Sequence, residues 1–405
     1  MTSRDENPVT FFAETNFRND RKPFGIRRAD RLSHMYLIGK TGTGKSTMLE
    51  TLIIQDLERG EGLALLDPHG DLVDRIRARI PAYRMGDLID FNVAEPAGRL
   101  AFNPLERVPK DKRSLVASGM LEVFKKIWAD SWGPRLEHIL RNTLLTLLDQ
   151  PEPTLADALR LLRDPEFRGR AVARTESAQV RDFWLREFAK YPASFRAEAI
   201  APVQNKIGAF LADPVLHGIL TQPRSAFDLR QVIDQGKILL VNLSKGRIGE
   251  DAATLLGALL VSQLGFAALS RADARPSSRR DFYLYLDEFH IFTTHSLANM
   301  LAELRKYGVG MVLAHQYLSQ LDLAVRDAVL GNVGTHVAFH LGPPDAEVLA
   351  QEFAPVFNAQ NLASLPNRHI YVRLMIDGAV SRPFSGETIR WASVHQVQQP
   401  GTISK

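Results

Sequence analysis

A short stretch near the start of the chain has the residue types and spacing of a phosphate-binding loop. Residues 39–47 read GKTGTGKST and fit the pattern G-x-x-x-x-G-K-[ST] at Gly39, Gly44, Lys45 and Ser46. Glycines let several backbone N–H groups converge on phosphate oxygens, in conformations that a side chain would obstruct. We expect Lys45 to reach the β- and γ-phosphates of ATP and Ser46 to hold Mg²⁺. The other loop residues predicted to bind the nucleotide are Thr41, Gly42, Thr43 and Thr47.

Two carboxylates at the end of a later apolar run give the second chemical signal. Phe282–Leu286 reads as a hydrophobic strand, and Asp287 and Glu288 follow it directly. A P-loop ATPase needs one carboxylate for Mg²⁺, here Asp287, and one that orients and deprotonates the attacking water, here Glu288. This pattern alone is a weak signal. It becomes strong in a chain that also has a P-loop, because two carboxylates at the end of an apolar strand would otherwise place charge at the edge of the core.

Two further polar residues are candidates for the same chemistry. Gln316 follows the apolar run Met311–Ala314 and can sense the γ-phosphate or the water by hydrogen bonding. Arg305 lies near the end of a short helix. It is either an arginine finger that acts across a subunit boundary, which contributes about 10³ to 10⁵ in rate in other NTPases, or a charge that satisfies the last carbonyls of its own helix. The sequence leaves both roles open.

The elements around these residues must place the loop between a strand and a helix, and the sequence predicts both. Met35–Ile38 is a short apolar run suited to a buried strand. Apolar residues with helical spacing follow the loop, and Gly60 ends that helix. Leu63–Leu66 predicts a second buried strand that ends in Asp67. This carboxylate either lies near the nucleotide, at the strand end, or caps the next helix.

The apolar pattern predicts an α/β fold interrupted by an all-α insertion. Strand-like runs nearly vanish from residues 104–224, where amphipathic stretches alternate with prolines. We predict that 31–103 and 225–388 form one α/β domain with a mainly parallel sheet, and that 104–224 are inserted into it. Residues 1–30 are expected to be an irregular lead-in and 389–405 a peripheral tail. The predicted helices of the insertion cover 115–128, 136–148, 155–162, 180–188 and 200–211.

Composition excludes several other kinds of chemistry. The chain of 405 residues has 50 basic and 46 acidic residues, and the formal charge of +4 is too small to argue for nucleic-acid binding without local patches. It has no cysteine, which excludes disulfides and thiol nucleophiles. Residues 1–20 contain no signal-peptide pattern. The apolar stretch Ala252–Leu269 is expected to be a buried core helix, so we expect no membrane insertion.

Together these motifs resemble the conjugative type IV coupling ATPases, within the FtsK and HerA translocase superfamily. The resemblance runs from about residue 30 to 385 and includes the helical insertion. It implies a RecA-like P-loop ATPase that assembles as a ring, commonly a hexamer, and moves DNA through a central channel. The matching segments are 39–47, Leu66–Asp71, Val241–Gly246, Leu286–Phe289, Arg305–Gly308 and Ala314–Gln316.

The resemblance gives the residues named above the same roles, with Arg305 as the arginine that acts on a neighbouring subunit. Membrane-anchored coupling proteins carry transmembrane helices before the motor, and no such helix precedes the P-loop in this sequence. The expected location is therefore the cytoplasm, with any contact to the inner membrane made through a partner. Such a partner would be a relaxase, a nuclease or a component of a secretion system.

Three functions remain open on the sequence alone. The leading one is an ATP-driven DNA translocase of conjugative type, on single- or double-stranded DNA. The second is a HerA-like motor that works with a nuclease or a defence effector. The third is a nucleotide-gated scaffold, against which Lys45, Asp287 and Glu288 argue, because a scaffold needs no carboxylate to activate water.

Overall fold

The computed structural model describes residues 7–18, 21–95 and 100–398, which form mixed α/β structure. The strands are β1 (Val9–Thr15), β2 (Pro23–Arg27), β3 (Met35–Ile38), β4 (Gly62–Asp67), β5 (Leu88–Asn92), β6 (Ile238–Asn242), β7 (Phe282–Leu286), β8 (Val309–His315), β9 (Thr335–Ala338), β10 (His369–Arg373), β11 (Met375–Ile376), β12 (Ala379–Val380) and β13 (Phe384–Thr388). The helices are α1 (Arg28–Arg31), α2 (Lys45–Arg59), α3 (Asp71–Arg77), α4 (Arg113–Ile127), α5 (Pro134–Leu148), α6 (Ala156–Arg163), α7 (Pro165–Arg174), α8 (Ala178–Asp182), α9 (Ala193–Ala212), α10 (Pro214–Leu220), α11 (Leu229–Gln235), α12 (Lys245–Ile248), α13 (Glu250–Ser270), α14 (His295–Glu303), α15 (Leu323–Asn332), α16 (Pro343–Phe353), α17 (Ala359–Leu362) and α18 (Trp391–Gln398).

One 11-stranded sheet organises the α/β part, in the order β2-β1-β13-β10-β9-β3-β8-β7-β4-β6-β5. From β9 to β6 in this order, neighbouring strands pair in parallel. From β2 to β9 they pair antiparallel. Parallel strands are covered on both faces and therefore consist of continuous apolar residues, which is why β3, β4, β6, β7 and β8 are visible in the sequence. The predicted α/β class with a mainly parallel sheet is confirmed.

Packing divides the chain into two units. The first contains the described parts of Met1–Asp90, Leu229–Asn242 and Ala267–Lys405, and the second contains those of Phe91–Asp228 and Leu243–Phe266. The first unit holds the phosphate-loop strand and helix, and its core includes Leu37, Leu52 and Leu65. The predicted boundaries at 103/104 and 224/225 remain a prediction.

Two segments outside the predicted ATPase domain form regular structure that was not expected. The expected irregular lead-in is wrong for Val9–Thr15 and Pro23–Arg27, which form β1 and β2. A register shift between Phe11 and Ala13 interrupts the apolar alternation that would have marked a strand. The expected peripheral tail is also wrong at its start. Trp391 in α18 packs against the core that contains α2, and its indole N–H donates to Glu58 at 3.1 Å.

The second unit is largely helical. Helix α5 packs against α4, α6 and α9, with Leu140 and Leu144 fully buried. A turn of π-helix, Phe183–Glu187, continues α8. The indole of Trp184 donates to Thr146 at 2.7 Å and so satisfies its only polar atom inside the core.

Some prolines in this unit begin helices, and another lies inside a helix. Pro165 and Pro214 are the first residues of α7 and α10, after Asp164 and Asp213, whose carboxylates accept from N–H groups of the first turn. Pro202 lies inside α9, within the predicted helix 200–211. A helix of 20 residues retains enough packing and hydrogen bonds to hold one proline.

Helix α13 accounts for the longest apolar stretch of the chain. Of the described residues, Glu250–Asp273 form the one helical segment long and apolar enough to cross a membrane, and 78% of its apolar window is buried. This burial is the property of a core helix, as predicted for Ala252–Leu269.

A buried ion pair links the phosphate-loop helix to the neighbouring elements. Arg31 donates to both oxygens of Asp56 in α2, at 2.5 and 2.8 Å. Its guanidinium also donates to the Tyr285 hydroxyl at 2.6 Å and lies 3.6 Å from the centre of the Tyr283 ring, both in β7. The Tyr285 hydroxyl in turn donates to Asp56. Because the partners are nearly inaccessible to water, removing one leaves the other as an uncompensated buried charge.

We predict that Arg31→Met destabilises the protein by about 3–5 kcal/mol, because Asp56 then remains buried without a cation. Urea unfolding followed by tryptophan fluorescence measures the loss. The double variant Arg31→Met/Asp56→Leu should recover much of it, since no charge is left in the core. A single variant as stable as the wild type would contradict the role given to this pair.

Candidate active site

The backbone of the phosphate loop takes conformations that glycine permits. Gly42 and Gly44 have φ of 79° and 121°, in the left-handed region that side chains avoid. A Cβ on Gly39 would lie only 2.5 Å from the Cβ of Phe339, so the loop is also held close to the end of β9. Helix α2 begins immediately after Gly44 and points its N-terminal N–H groups into the loop. The sequence pattern therefore folds as an anion cradle.

Lys45 is buried inside this cradle. Its ammonium donates to the carbonyl oxygens of Gly39 at 2.5 Å and Lys40 at 3.1 Å. Burial lowers the pKa of Lys45, and the carboxylates of Glu288 and Asp287 partly oppose that shift. The ammonium thus lies between the loop carbonyls and the two acidic residues.

Ser46 and Asp287 meet at the end of β7. The Ser46 hydroxyl lies 3.5 Å from Oδ2 of Asp287. Burial raises the pKa of Asp287 to about 7, with further contributions from the negative charges of Asp67 and Glu288. The carboxylates at this sheet edge therefore repel one another more than Lys45 alone can offset.

These oxygen atoms fit a magnesium ion bound together with a nucleotide. Mg²⁺ usually takes one or two protein oxygens and fills its other positions with phosphate and water, and Ser46 and Asp287 offer that set. Over residues 7–18, 21–95 and 100–398 no group of three or more His, Asp or Glu side chains could hold a metal by itself. The excess negative charge around Asp287 is the kind that a bound cation relieves.

Glu288 and Gln316 contact each other directly. The Gln316 side-chain amide donates to Oε1 of Glu288 at 2.8 Å, so the ends of β7 and β8 are joined at the candidate site. Oε2 of Glu288 is buried without a hydrogen bond and lies 3.4 Å from Nδ1 of His290. Glu288 also has φ of 50°, a left-handed backbone that is costly for a residue with a Cβ and is concentrated at functional sites.

Asp67 caps the helix that follows its strand. One carboxylate oxygen accepts from the N–H of His69 at 2.8 Å, and the other from Leu72 at 2.8 Å and Val73 at 3.2 Å. Asp67 thus has the capping role, one of the two that the sequence left open. The same carboxylate is close enough to Asp287 to raise its pKa, whereas the side chain of His69 is exposed.

Arg305 lies away from the other predicted residues within this chain. It precedes β8, and Gln316 follows the seven residues of that strand, which span roughly 23 Å at about 3.3 Å each. Arg305 is exposed and near His34, whose pKa is lowered to about 4 by burial and, to a smaller extent, by this arginine. A role for Arg305 in a neighbouring subunit remains a prediction.

Two contacts to the phosphate loop come from late in the chain and have no motif. The N–H of Arg368 donates to the carbonyl of Thr43 at 2.9 Å, and the N–H of Lys40 donates to that of His340 at 3.0 Å. Beside the loop, a cavity of about 540 Å³ is lined in part by Lys40, Gln316 and Asp345. Sequence spacing could not reveal Arg368, His340 and Asp345 at this site, because it carries no information about contacts made across strands.

This arrangement defines the class of protein. A phosphate loop between β3 and α2 faces Asp287, Glu288 and Gln316 at the ends of the neighbouring parallel strands, which is the RecA-like P-loop ATPase fold. The chain belongs to a family within this class, described as the type IV secretion-system coupling protein DNA-binding domain, whose sequence model matches residues 23–361.

Solved structures agree with the fold. The plasmid coupling protein TrwB in complex with the GTP analogue GDPNP has a TM-score of 0.65 at 17% identity, over 98% of this chain and 97% of that chain. TrwB in complex with ADP and Mg²⁺ has a TM-score of 0.65 at 18% identity, over 98% and 97%. VirB4 of Thermoanaerobacter pseudethanolicus has a TM-score of 0.62 at 13% identity, over 95% and 97%. No curated protein sequence has significant similarity to the chain.

The crowded carboxylates lead to a stability prediction for the protein without nucleotide or Mg²⁺. The pKa of Asp287 is about 7 in the folded chain and ordinarily near 3.8. Its ionisation therefore does not lower the free energy of unfolding below about pH 4, lowers it increasingly up to about pH 7, and lowers it by the full amount above that pH. Asp287→Asn should therefore stabilise the protein at pH 8, by at most about 4 kcal/mol.

Urea unfolding in EDTA at pH 5, 6.5 and 8 measures this gain, which should shrink as the pH falls. The matched control is Asp327→Asn, an exposed aspartate, which should show no such pH-dependent gain. A variant less stable than the wild type at pH 8 would mean that burial and repulsion do not disfavour the charge of Asp287.

Proposed function

We propose that this protein is an ATP-driven DNA translocase of the coupling-protein type. The observation that carries the proposal is the contact of Gln316 with Glu288 at 2.8 Å, beside Lys45 and Asp287. A site that only bound nucleotide would need the loop and its lysine, but not a buried carboxylate held by an amide at the strand ends. This arrangement therefore favours hydrolysis over the scaffold alternative.

Each residue has a role in the proposed hydrolysis. The loop residues 39–47 bind the phosphates of ATP through backbone N–H groups, and Lys45 pairs with the β- and γ-phosphates. Ser46 and Asp287 hold the Mg²⁺, which supplies positive charge to the transferring phosphate when it is bound. Glu288 accepts the proton of the attacking water, and Gln316 fixes the orientation of that carboxylate. The left-handed backbone at Glu288 places its side chain toward the end of β8.

The motor assembly is also part of the proposal. Residues 31–103 and 225–388 act as the ATPase domain, with 104–224 as an inserted all-α subdomain. A ring of identical subunits, six by analogy with the resembling family, would enclose the DNA and supply Arg305 to the neighbouring site. The protein works in the cytoplasm, and a relaxase, nuclease or secretion-system component would connect it to its substrate or to the inner membrane.

Steady-state ATP hydrolysis with no DNA, with single-stranded DNA and with duplex, at two salt concentrations, tests the proposal. A motor should hydrolyse ATP faster with its DNA, and the stimulation should fall at high salt, because contacts to phosphates release counterions. Lys45→Ala should lose hydrolysis in every condition. If the wild type hydrolyses ATP without any response to DNA, the translocase is excluded and the scaffold alternative gains support.

For Arg305 we predict that Arg305→Ala binds ATP normally but hydrolyses it about a thousandfold more slowly or worse. Glu288→Gln should bind ATP and be trapped before hydrolysis. Mixing the two variants should restore part of the activity, because a subunit with intact Glu288 can then meet a neighbour with intact Arg305. Activity of the mixture that equals the sum of the separate variants would assign Arg305 to its own helix end instead.

A further inference from the structure

Arg368 lies against the phosphate loop although it is far from it in sequence. Its N–H donates to the carbonyl of Thr43 at 2.9 Å, and its carbonyl accepts from the N–H of Thr388 at 2.8 Å. The Cα and Cγ of Arg368 are each 3.7 Å from the position that a Cβ on Gly44 would occupy. Since Gly44 is the N-cap of α2, the arginine stands beside the first turn of the helix that binds phosphate.

The backbone of Arg368 is in a conformation that its side chain disfavours. Its φ is 71°, in the left-handed region where glycine is the usual residue. The hydrogen bonds to Thr43 and Thr388 hold it there. Non-glycine residues fixed in this way are concentrated at ligand clamps and active sites, so an arginine at this position calls for a functional reason.

The contacts of the Arg368 guanidinium do not explain why an arginine occupies this position. The Arg368 side chain is 54% exposed, and it lies 3.7 Å from Glu387. Glu387 already accepts a hydrogen bond from Arg21 at 3.0 Å. An exposed pair at this separation adds little to stability, and it leaves the guanidinium able to turn toward a ligand in the loop.

The sheet order sets the direction in which a bound nucleotide must run. Strands β8 and β7 lie on one side of β3, and β9 and β10 lie on the other. Asp287, Glu288 and Gln316 are at the ends of β7 and β8, so the γ-phosphate must point to that side. The nucleoside end then extends over the β9 and β10 side, where Arg368 precedes β10.

We propose that Arg368 binds the nucleoside half of the nucleotide, with its planar guanidinium against the base and its N–H groups toward the ribose. A guanidinium can stack on an aromatic face and donate hydrogen bonds in the same plane. The inference rests on the proposed nucleotide-binding function and adds a residue to it. The family match ends at residue 361 and so does not include Arg368.

Binding of two probes tests the inference, a non-hydrolysable ATP analogue and inorganic tripolyphosphate, both with Mg²⁺. Arg368→Ala should weaken binding of the analogue about tenfold and leave binding of tripolyphosphate unchanged. Arg368→Lys keeps the charge but not the planar group, and it should also weaken binding of the analogue. The matched control is Arg382→Ala. Arg382 is exposed and precedes β13, whereas Arg368 contacts Thr388 at the other end of that strand. This control should change the binding of neither probe.

The outcomes separate this inference from the proposed function. Equal losses for both probes would place Arg368 on phosphate and overturn the nucleoside assignment, and unchanged binding of both would overturn any role in binding. If the wild type binds neither probe, the phosphate loop itself fails, and the proposed function with it. Wild-type binding that Lys45→Ala abolishes and Arg368→Ala leaves intact would overturn only the inference.

Arg368→Gly distinguishes ligand binding from support of the fold. Glycine adopts φ of 71° without strain, so this variant should have a thermal midpoint equal to or above that of the wild type and the same loss of analogue affinity as Arg368→Ala. A lower midpoint with normal affinity would show that the arginine only braces the loop, and would overturn the proposal.

Discussion

The accumulation of negative charge at one buried sheet edge is the constraint on which the site depends. Asp67, Asp287 and Glu288 lie at the ends of adjacent parallel strands, and in the described part of the chain Lys45 is the buried cation beside them. The chain limits the repulsion by using Asp67 as a helix cap and by hydrogen bonding Glu288 to Gln316. Burial and the remaining repulsion from Asp67 and Glu288 raise the pKa of Asp287, so the site is set up to bind a cation along with its anionic ligand.

The helix that forms the phosphate loop is fixed at several points along its length. Gln55 exchanges hydrogen bonds with the backbone N–H and carbonyl of Phe11, at 3.0 and 2.7 Å, and so pairs with β1 where its register shifts. The buried pair of Arg31 and Asp56 attaches the same helix to β7. Asp287 directly follows β7. The same contacts therefore fix the position of the phosphate loop relative to the carboxylates.

The sequence predicted those parts of the protein in which a local pattern is sufficient. The buried parallel strands have uninterrupted apolar runs, the glycines of the loop have a fixed spacing, and Gly60 ends α2 in the left-handed conformation that its type favours. The antiparallel strands β1 and β13 were missed, because a bulge and an exposed face obscure their alternation. Arg368 was missed for another reason, since its position depends on pairing between segments far apart in sequence.

The order of the strands also determines when the phosphate loop can form during synthesis. Strand β3, which carries the loop, pairs only with β8 and β9 among the described strands. The ribosome must therefore translate beyond residue 338 before β3 has both neighbours. Until then the nascent chain holds an apolar strand without sheet partners, a state that is prone to misassociation. A fragment that ends before β8 would keep every residue of the motif and lack the framework that gives the motif its shape.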